Sequence, residues 1–355
     1  AVGPRASGRN PSATRERRDG PVNLRIHTLA ALFALGATAS AQNAFRPLPE
    51  LPTLAEWPGR GPSAALSPAE ARFEELEQQA QGPRERTFVE VRALADVASG
   101  ANFDGSPGSL ASQRGGWVAT IGTELDGERL AALSVKTEAF FYNLGGANGL
   151  VPGNDEPFND LYRATFAGVV RSAERDGPGW FSGFQVSLCG EDEADAGDSI
   201  VVGGASGLRY SASDTLEVEL GVAALSRLED DTWIWPYLGF RWRPTERLEF
   251  SAQGTQLEAR VHLNSDWSVF GRAEYALQQF RLNDDNPLAA GVLRDEEIRA
   301  GLGVDYRAEN GLGFQLLGGL NLWRELSTLD RNGGDVTERE LETAPFVALA
   351  LNLSF

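Results

Sequence analysis

GLGFQLLGGLNLW (311–323) places Leu312, Phe314, Leu316, Leu320 and Leu322 on one face and Gly313, Gln315, Gly319 and Asn321 on the other. A period of two is that of an extended strand, because successive side chains leave a pleated backbone on opposite sides. The same period recurs outward from this stretch. IRAGLGVDYR (298–307) sets Ile298, Leu302, Val304 and Tyr306 against Arg299, Asp305 and Arg307. LEVELGVAAL (216–225) sets Leu216, Val218, Leu220 and Val222 against Glu217 and Glu219.

One apolar face per strand also suits a water-soluble sandwich, so length, spacing and strand ends have to decide. The alternation predicts strands over 86–97, 114–125, 129–143, 160–172, 178–190, 198–211, 214–228, 231–243, 247–253, 256–263, 267–283, 294–308, 311–327 and 339–355. Their connections alternate, LDGE, RDGP, SASD, RPTE, NSD and AENG being short and 98–113, 144–159, 191–197, 284–293 and 328–338 longer, except that two outer connections, around Asp230 and around Gly254-Thr255, are short as well. Many long strands with short turns at one end and longer loops at the other describe a transmembrane barrel. Aromatic residues also gather near strand ends: Tyr210, Trp242, Trp267 and Tyr306 near the short turns, Trp233, Trp235, Phe280 and Trp323 near the long loops. Two such girdles are expected at the two membrane interfaces. The fold class read from the sequence is therefore all-β, a transmembrane antiparallel up-and-down barrel of fourteen strands preceded by one short helix. Reading 247–263 as one bent strand rather than a hairpin would make the count odd and put the short turns out of phase with the long loops, so fourteen is preferred, with twelve as the alternative.

The chain stops on APFVALALNLSF, with Val347, Leu349, Leu351, Leu353 and Phe355 on one face. This resembles the C-terminal signal by which the barrel-assembly machinery recognises bacterial outer-membrane proteins, with Leu353 where an aromatic is common. The turn patterns RYSASDTLEVELG, LGFRWRPTERLEF and LNSDWSVFGRAEY, within 198–355, resemble a family of bacterial outer-membrane barrels of unknown function. That resemblance implies a location and supplies no activity.

NLRIHTLAALFALGATASAQ (23–42) has Arg25, an apolar run from Leu29 to Leu35, and Ala39-Ser40-Ala41 as a cleavage site; this is the build of a signal peptide. The run is too short to span a bilayer, which takes about 20 apolar residues. Residues 1–41 are read as a disordered leader and signal peptide, and 42–85 as a proline-rich periplasmic segment. Within it SPAEARFEELEQQAQGP predicts a helix over 67–81. Ser67 and Glu70 make a capping box, Pro68 takes the first helical position, and Gly82-Pro83 ends it. The barrel is expected from 86 to 355, with the N-terminus periplasmic.

Charge and composition exclude several classes. Residues 1–42 carry net +4 and the remainder net −22, and an acidic chain of that size repels nucleic acid. Lone Cys189 offers neither a disulfide nor a zinc spacing. His262, beside Arg260, is the one histidine after the leader. A Ser–His–acid hydrolase would need it as base, and it reads instead as a polar lumen residue. No nucleophile elbow or phosphate loop is present, and EDEADAGD (191–198) and DRNGGD (330–335) miss the calcium-loop pattern. No enzyme, cofactor or metal is expected. The expected partners are outer-membrane lipids and the assembly machinery.

The candidate functional residues are the inward charges: Lys136, Glu138, Arg163, Glu217, Glu219, Arg241, Glu249, Glu258, Arg260, Arg272, Glu274, Arg299, Asp305 and Arg307. So many charges need either water or partners. The leading expectation is a passive or weakly selective channel for small polar solutes or ions. The alternatives are a structural or surface-interaction barrel with a closed lumen, and a hydrophobic-solute transporter with an N-terminal plug.

If the terminal strand is the assembly signal, Phe355→Asp should keep the protein out of the outer membrane. Wild-type levels of heat-modifiable protein in outer-membrane fractions would refute that role.

Overall fold

The computed structural model describes residues 87–355, apart from 106, 126–128, 147–148, 152–153, 155–156, 159, 173–177, 214 and 309. The leader, the proline-rich segment and the expected helix 67–81 lie outside the described residues. The strands are β1 (Thr87–Asn102), β2 (Ser109–Glu124), β3 (Arg129–Gly145), β4 (Leu161–Ser172) and β5 (Pro178–Glu191). They continue as β6 (Ile200–Ser213), β7 (Leu216–Arg227), β8 (Asp230–Thr245), β9 (Leu248–Gln253) and β10 (Gln256–His262). The last are β11 (Trp267–Arg281), β12 (Val292–Arg307), β13 (Leu312–Leu329), β14 (Asp335–Leu341) and β15 (Ala344–Ser354).

Each strand from β1 to β13 pairs antiparallel with the next, and β15 lies between β13 and β1. Fourteen strands thus close a barrel, with β14 an extra strand on the outer end of β13. The segment 247–263 is a true hairpin and not one bent strand, β9 pairing with β10 from Gln253↔Gln256 to Leu248↔Val261, and the closed ring of fourteen sets the twelve-strand alternative aside.

Two long connections are shorter than the sequence suggests. The turn-rich SGANFDGSPGS lies partly in strands, because β1 absorbs a bulge between Ala98 and Ala101 and carries on to Asn102. The expected loop 328–338 shrinks to a turn at 330–334, where Asp330 Oδ1 accepts from the Asn332 and Gly334 amides at 2.7 and 3.0 Å. Gly333 takes φ +80° there, a conformation open to glycine at little cost. The expected last strand 339–355 is interrupted at Glu342-Thr343, opposite a second bulge. Ile298 pairs with Trp323 and Arg299 with Asn321, which leaves Leu322 over.

The outward face is an apolar belt. Leu208, Leu220, Val222, Ile234, Leu257 and Val347 are exposed, and Leu302 is 77% exposed. So continuous an apolar surface suits lipid rather than water. The inward face holds the charges, Phe270, Leu317, Phe346 and, toward the long loops, a large apolar cluster. Phe103, Leu110, Phe140, Leu150, Phe280 and Leu326 belong to that cluster, so the loops fold in over the barrel mouth.

Above the belt, Glu325 of β13 pairs with Glu340 of β14 and Glu296 of β12. Partial burial, then Glu338, Glu296 and Glu340, push its carboxyl up to about 7 from an ordinary 4.5. A raised carboxyl keeps a proton in the docked state that the released strand would give up. Docking of β14 is therefore strongest below the ordinary value and weakens as pH rises through about 7. Hydrogen exchange at the β14 amides, corrected for intrinsic rates, should accelerate between about pH 5 and 8. Glu325→Gln should remove the dependence.

Candidate functional site

Strand alternation turns the candidate charges into the barrel, and the structure gives each a partner. Arg260 bonds Glu258 at 2.8 Å and Asp305 at 2.6 Å, while Arg272 shares Glu258 at 2.8 Å. Arg307 reaches Asp305 at 3.3 Å from the barrel mouth. Lys136 pairs with Glu138 at 2.8 Å, and Arg163 stands 3.7 Å from Glu138. Arg241 lies 3.5 Å from Glu249, and Glu219 accepts from Tyr237 Oη at 3.2 Å. Glu217 takes Arg209 at 2.7 Å, and Glu274 takes Arg299. The arginines of β10 to β12 thus alternate with carboxylates and do not form a wall of one sign.

The decisive contacts are those that leave the wall. Arg299 of β12 bonds Asp96 of β1, with β13 and β15 lying between their strands. Arg114 of β2 bonds Glu297 of β12 at 2.6 Å. Tyr142 of β3 donates to Asp295 of β12 at 2.6 Å, and Arg324 grips the same carboxylate at 2.9 and 2.7 Å. Arg163 of β4 donates to Gln278 of β11 at 2.8 Å. These bonds run across the interior as chords. Their members are buried, Arg299 at 1% and Asp295 and Glu297 at 0% exposure. Aromatic rings fill between them: the Arg299 guanidinium lies 5.0 Å from the Phe346 ring centre, and Arg272 and Arg260 lie 5.0 and 5.2 Å from that of Phe270.

Sequence reasoning missed Asp96, Arg114, Asp295, Glu297 and Arg324. Asp96 and Arg114 sit where the expected strands end, and Asp295-Glu296-Glu297 hides alternation behind three acids in a row. Arg324 turns inward because the bulge at Leu322 shifts the phase of β13. A signal existed for Asp96: it continues the even face of β1 in RALADV, two residues beyond Leu94.

The β6–β9 side differs. Arg209, Glu217, Arg241 and Glu249 pair between neighbouring strands, along the wall. Arg243 keeps 42% and Glu217 29% of its side chain accessible. Water therefore enters this side from the short-turn end. His262 extends the inward face of β10 beyond Glu258 and Arg260. In the two acidic loops Asp195 and Asp330 each accept backbone amides of their own turns.

No family model and no curated protein matches the chain. Among solved structures, the TodX monoaromatic hydrocarbon channel deltaS2 mutant aligns with a TM-score of 0.41 at 10% identity, over 81% of this chain and 93% of that one. The Pseudomonas putida toluene transporter TodX aligns at 0.36 and 11%, over 81% and 92%. The β domain of the Bordetella autotransporter BrkA aligns at 0.29 and 9%, over 75% and 99%. Likenesses this distant carry neither solute nor activity across.

Arg299→Leu would take the guanidinium from buried Glu274 and leave Asp96 with Arg114 at 3.9 Å, while Glu297 keeps Arg114 at 2.6 Å. Unfolding of detergent-solubilised protein by urea should show a loss of about 3–5 kcal/mol. Arg307→Leu, at the exposed mouth, should cost less than about 1 kcal/mol.

Proposed function

We propose that the chain is an integral outer-membrane barrel whose axial lumen is shut, rather than a standing pore. The cross-lumen bonds carry this reading: Arg299–Asp96, Arg114–Glu297, Tyr142–Asp295 and Arg163–Gln278 join strands that are not neighbours. An ion travelling along the axis would have to part buried, paired charges, each with a desolvation penalty to meet. The apolar cluster under the long loops closes the same path a second time. The apolar belt, the signal-peptide pattern and the C-terminal strand support a location in the outer membrane with the N-terminus on the periplasmic side. The barrel-assembly machinery is then the partner in biogenesis and lipid the permanent surroundings.

A second reading, the channel for small polar solutes, is favoured by one observation. Arg243 and Glu217 are water-accessible from the short-turn end, so polar solutes can enter a vestibule there even though the chords block the axis above.

Planar bilayers separate the two. Folded protein should give no ohmic steps, and deleting residues 43–85 should leave it silent, since the chords belong to the barrel itself. Stable steps from folded wild-type protein would overturn the closed lumen and establish the channel.

A further inference from the structure

One inward charge stands apart from the pairing that governs the rest. Arg171 ends the inward series of β4, after Arg163, Thr165, Ala167 and Val169, at the short-turn end. It is 8% exposed, and among the described residues it makes no hydrogen bond and no ion pair. Every other buried arginine among the described residues hydrogen-bonds a carboxylate or an amide oxygen. The sheet neighbours of Arg171 are Leu130 on β3 and Phe181 on β5, both apolar and buried. No ring among the described residues covers its face, as Phe346 covers that of Arg299.

The charges around it do not supply the missing partner. Arg209 and Arg241 act on it as like charges, Glu219 and Glu217 as opposite ones, and it pairs with none of them. Both carboxylates are engaged elsewhere: Glu217 holds Arg209 at 2.7 Å, and Glu219 accepts from Tyr237 Oη at 3.2 Å. Glu249 takes Arg243 at 2.7 Å and stands 3.5 Å from Arg241. The Arg209 guanidinium lies beside the end of β4, Nη1 reaching Ser172 O at 3.5 Å, while its buried Nε has no acceptor. The buried Nε of Arg241 has none either. Among the inward described residues at this end of β4 to β9, Arg171, Arg209, Arg241 and Arg243 face Glu217, Glu219 and Glu249. Four positive charges thus meet three negative ones.

A buried guanidinium without a partner costs several kcal/mol, and here two further N–H donors without acceptors lie in its field. Donors from β4, β6 and β8 with a surplus of one positive charge have the build of an anion site. We propose that Arg171 anchors a binding site for a small, singly charged oxyanion, a carboxylate by chemical class. The site is reached from the short-turn end, past the accessible Glu217 and Arg243. Two carboxylate oxygens match the fork of one guanidinium, and a single negative charge cancels the surplus. The proposal does not rest on the closed axis. Ohmic steps in a bilayer would leave it standing, and its failure would leave the closed lumen standing.

The test uses the folded full chain in detergent, its isotope-labelled arginine side chains followed by NMR during titration with sodium formate or sodium chloride at equal ionic strength. The Arg171 Nε–H resonance, assigned by its loss in Arg171→Gln, should shift saturably with formate, half-maximally at about 1 mM or below. Arg209 should follow with the same midpoint, exposed Arg243 should shift without saturating, and chloride should act at least tenfold more weakly. In Arg171→Gln the saturable response of Arg209 should be lost. Arg171→Lys keeps the charge without the fork and should lose the preference for formate. Urea unfolding gives an independent readout. Formate should raise the wild-type midpoint above that in equal chloride and leave that of Arg171→Gln unmoved, because only the wild type binds. Without formate, Arg171→Gln should be no less stable than wild type, since it strands no carboxylate, and heat-modifiable mobility certifies its fold. Linear, equal responses of Arg171 to formate and chloride would mean an adventitious ion only and overturn the proposal. So would a saturable response of Arg209 that survives Arg171→Gln. Tighter binding of sulfate than of formate would overturn the assignment to a single charge.

Discussion

Backbone N–H and C=O groups in hydrocarbon have no water to turn to, so each spanning strand must find partners in its neighbours along both edges. Closure of the ring meets that demand: β12 pairs with β13, β13 with β15 and β15 with β1, and the C-terminal residue joins in, Phe355 N donating to Val89 O at 2.9 Å. The rest of the architecture follows from this requirement. Side-chain alternation is imposed by the pleat, so the apolar residues that face lipid leave the charged ones no direction but inward. Above the short β9 and β10, β8 carries Pro236 and β11 leaves the wall for β5.

Inward charges then meet a second constraint, since a buried charge without a partner costs several kcal/mol. The interior satisfies it in two ways. On the side formed by β11 to β13, β15 and β1 to β4, arginines reach across to carboxylates, or in the case of Arg163 to the amide of Gln278, on strands not adjacent to theirs. Phe270 and Phe346 take up the guanidinium faces that carboxylates leave open. On the side of β6 to β9, pairs stay between neighbouring strands, and of their members Glu217 and Arg243 remain accessible at the short-turn end. The barrel is therefore asymmetric inside, cross-linked by chords on one side and paired along the wall on the other.

Much of the ring was legible because the pleat writes a period of two into every lipid-facing strand. The sequence order of short and long connections also made the hairpin at 247–263 necessary for an even count. The inward charges were legible by the same rule, residue by residue. Their partners were not, because a chord such as Arg163–Gln278 joins positions 115 residues apart that share no local pattern. Bulges erased a further part: one extra residue at Leu322 moves Arg324 from the apparent lipid face to the interior. The turn-rich stretches at 98–113 and 328–338 misled for a related reason. Glycine and aspartate mark turns without saying how many flanking residues the strands will claim, and here tertiary pairing extended both hairpins.

One residue type in the sequence bears on how the two sides are connected. WIWPYLG (233–239) reads as a lipid-facing strand by alternation, yet a proline within a closed ring would break a ladder bond that hydrocarbon cannot replace. Among the described residues β9 pairs with β8 no higher than Gly239↔Gln253, so Pro236 has no place in that ladder to break. Behind this stretch of β8 stand Trp233, Trp235 and the buried outward face of β11. The bend of β11 that supplies this face also carries Gln278 toward Arg163, so one strand both packs behind β8 and helps to close the axis.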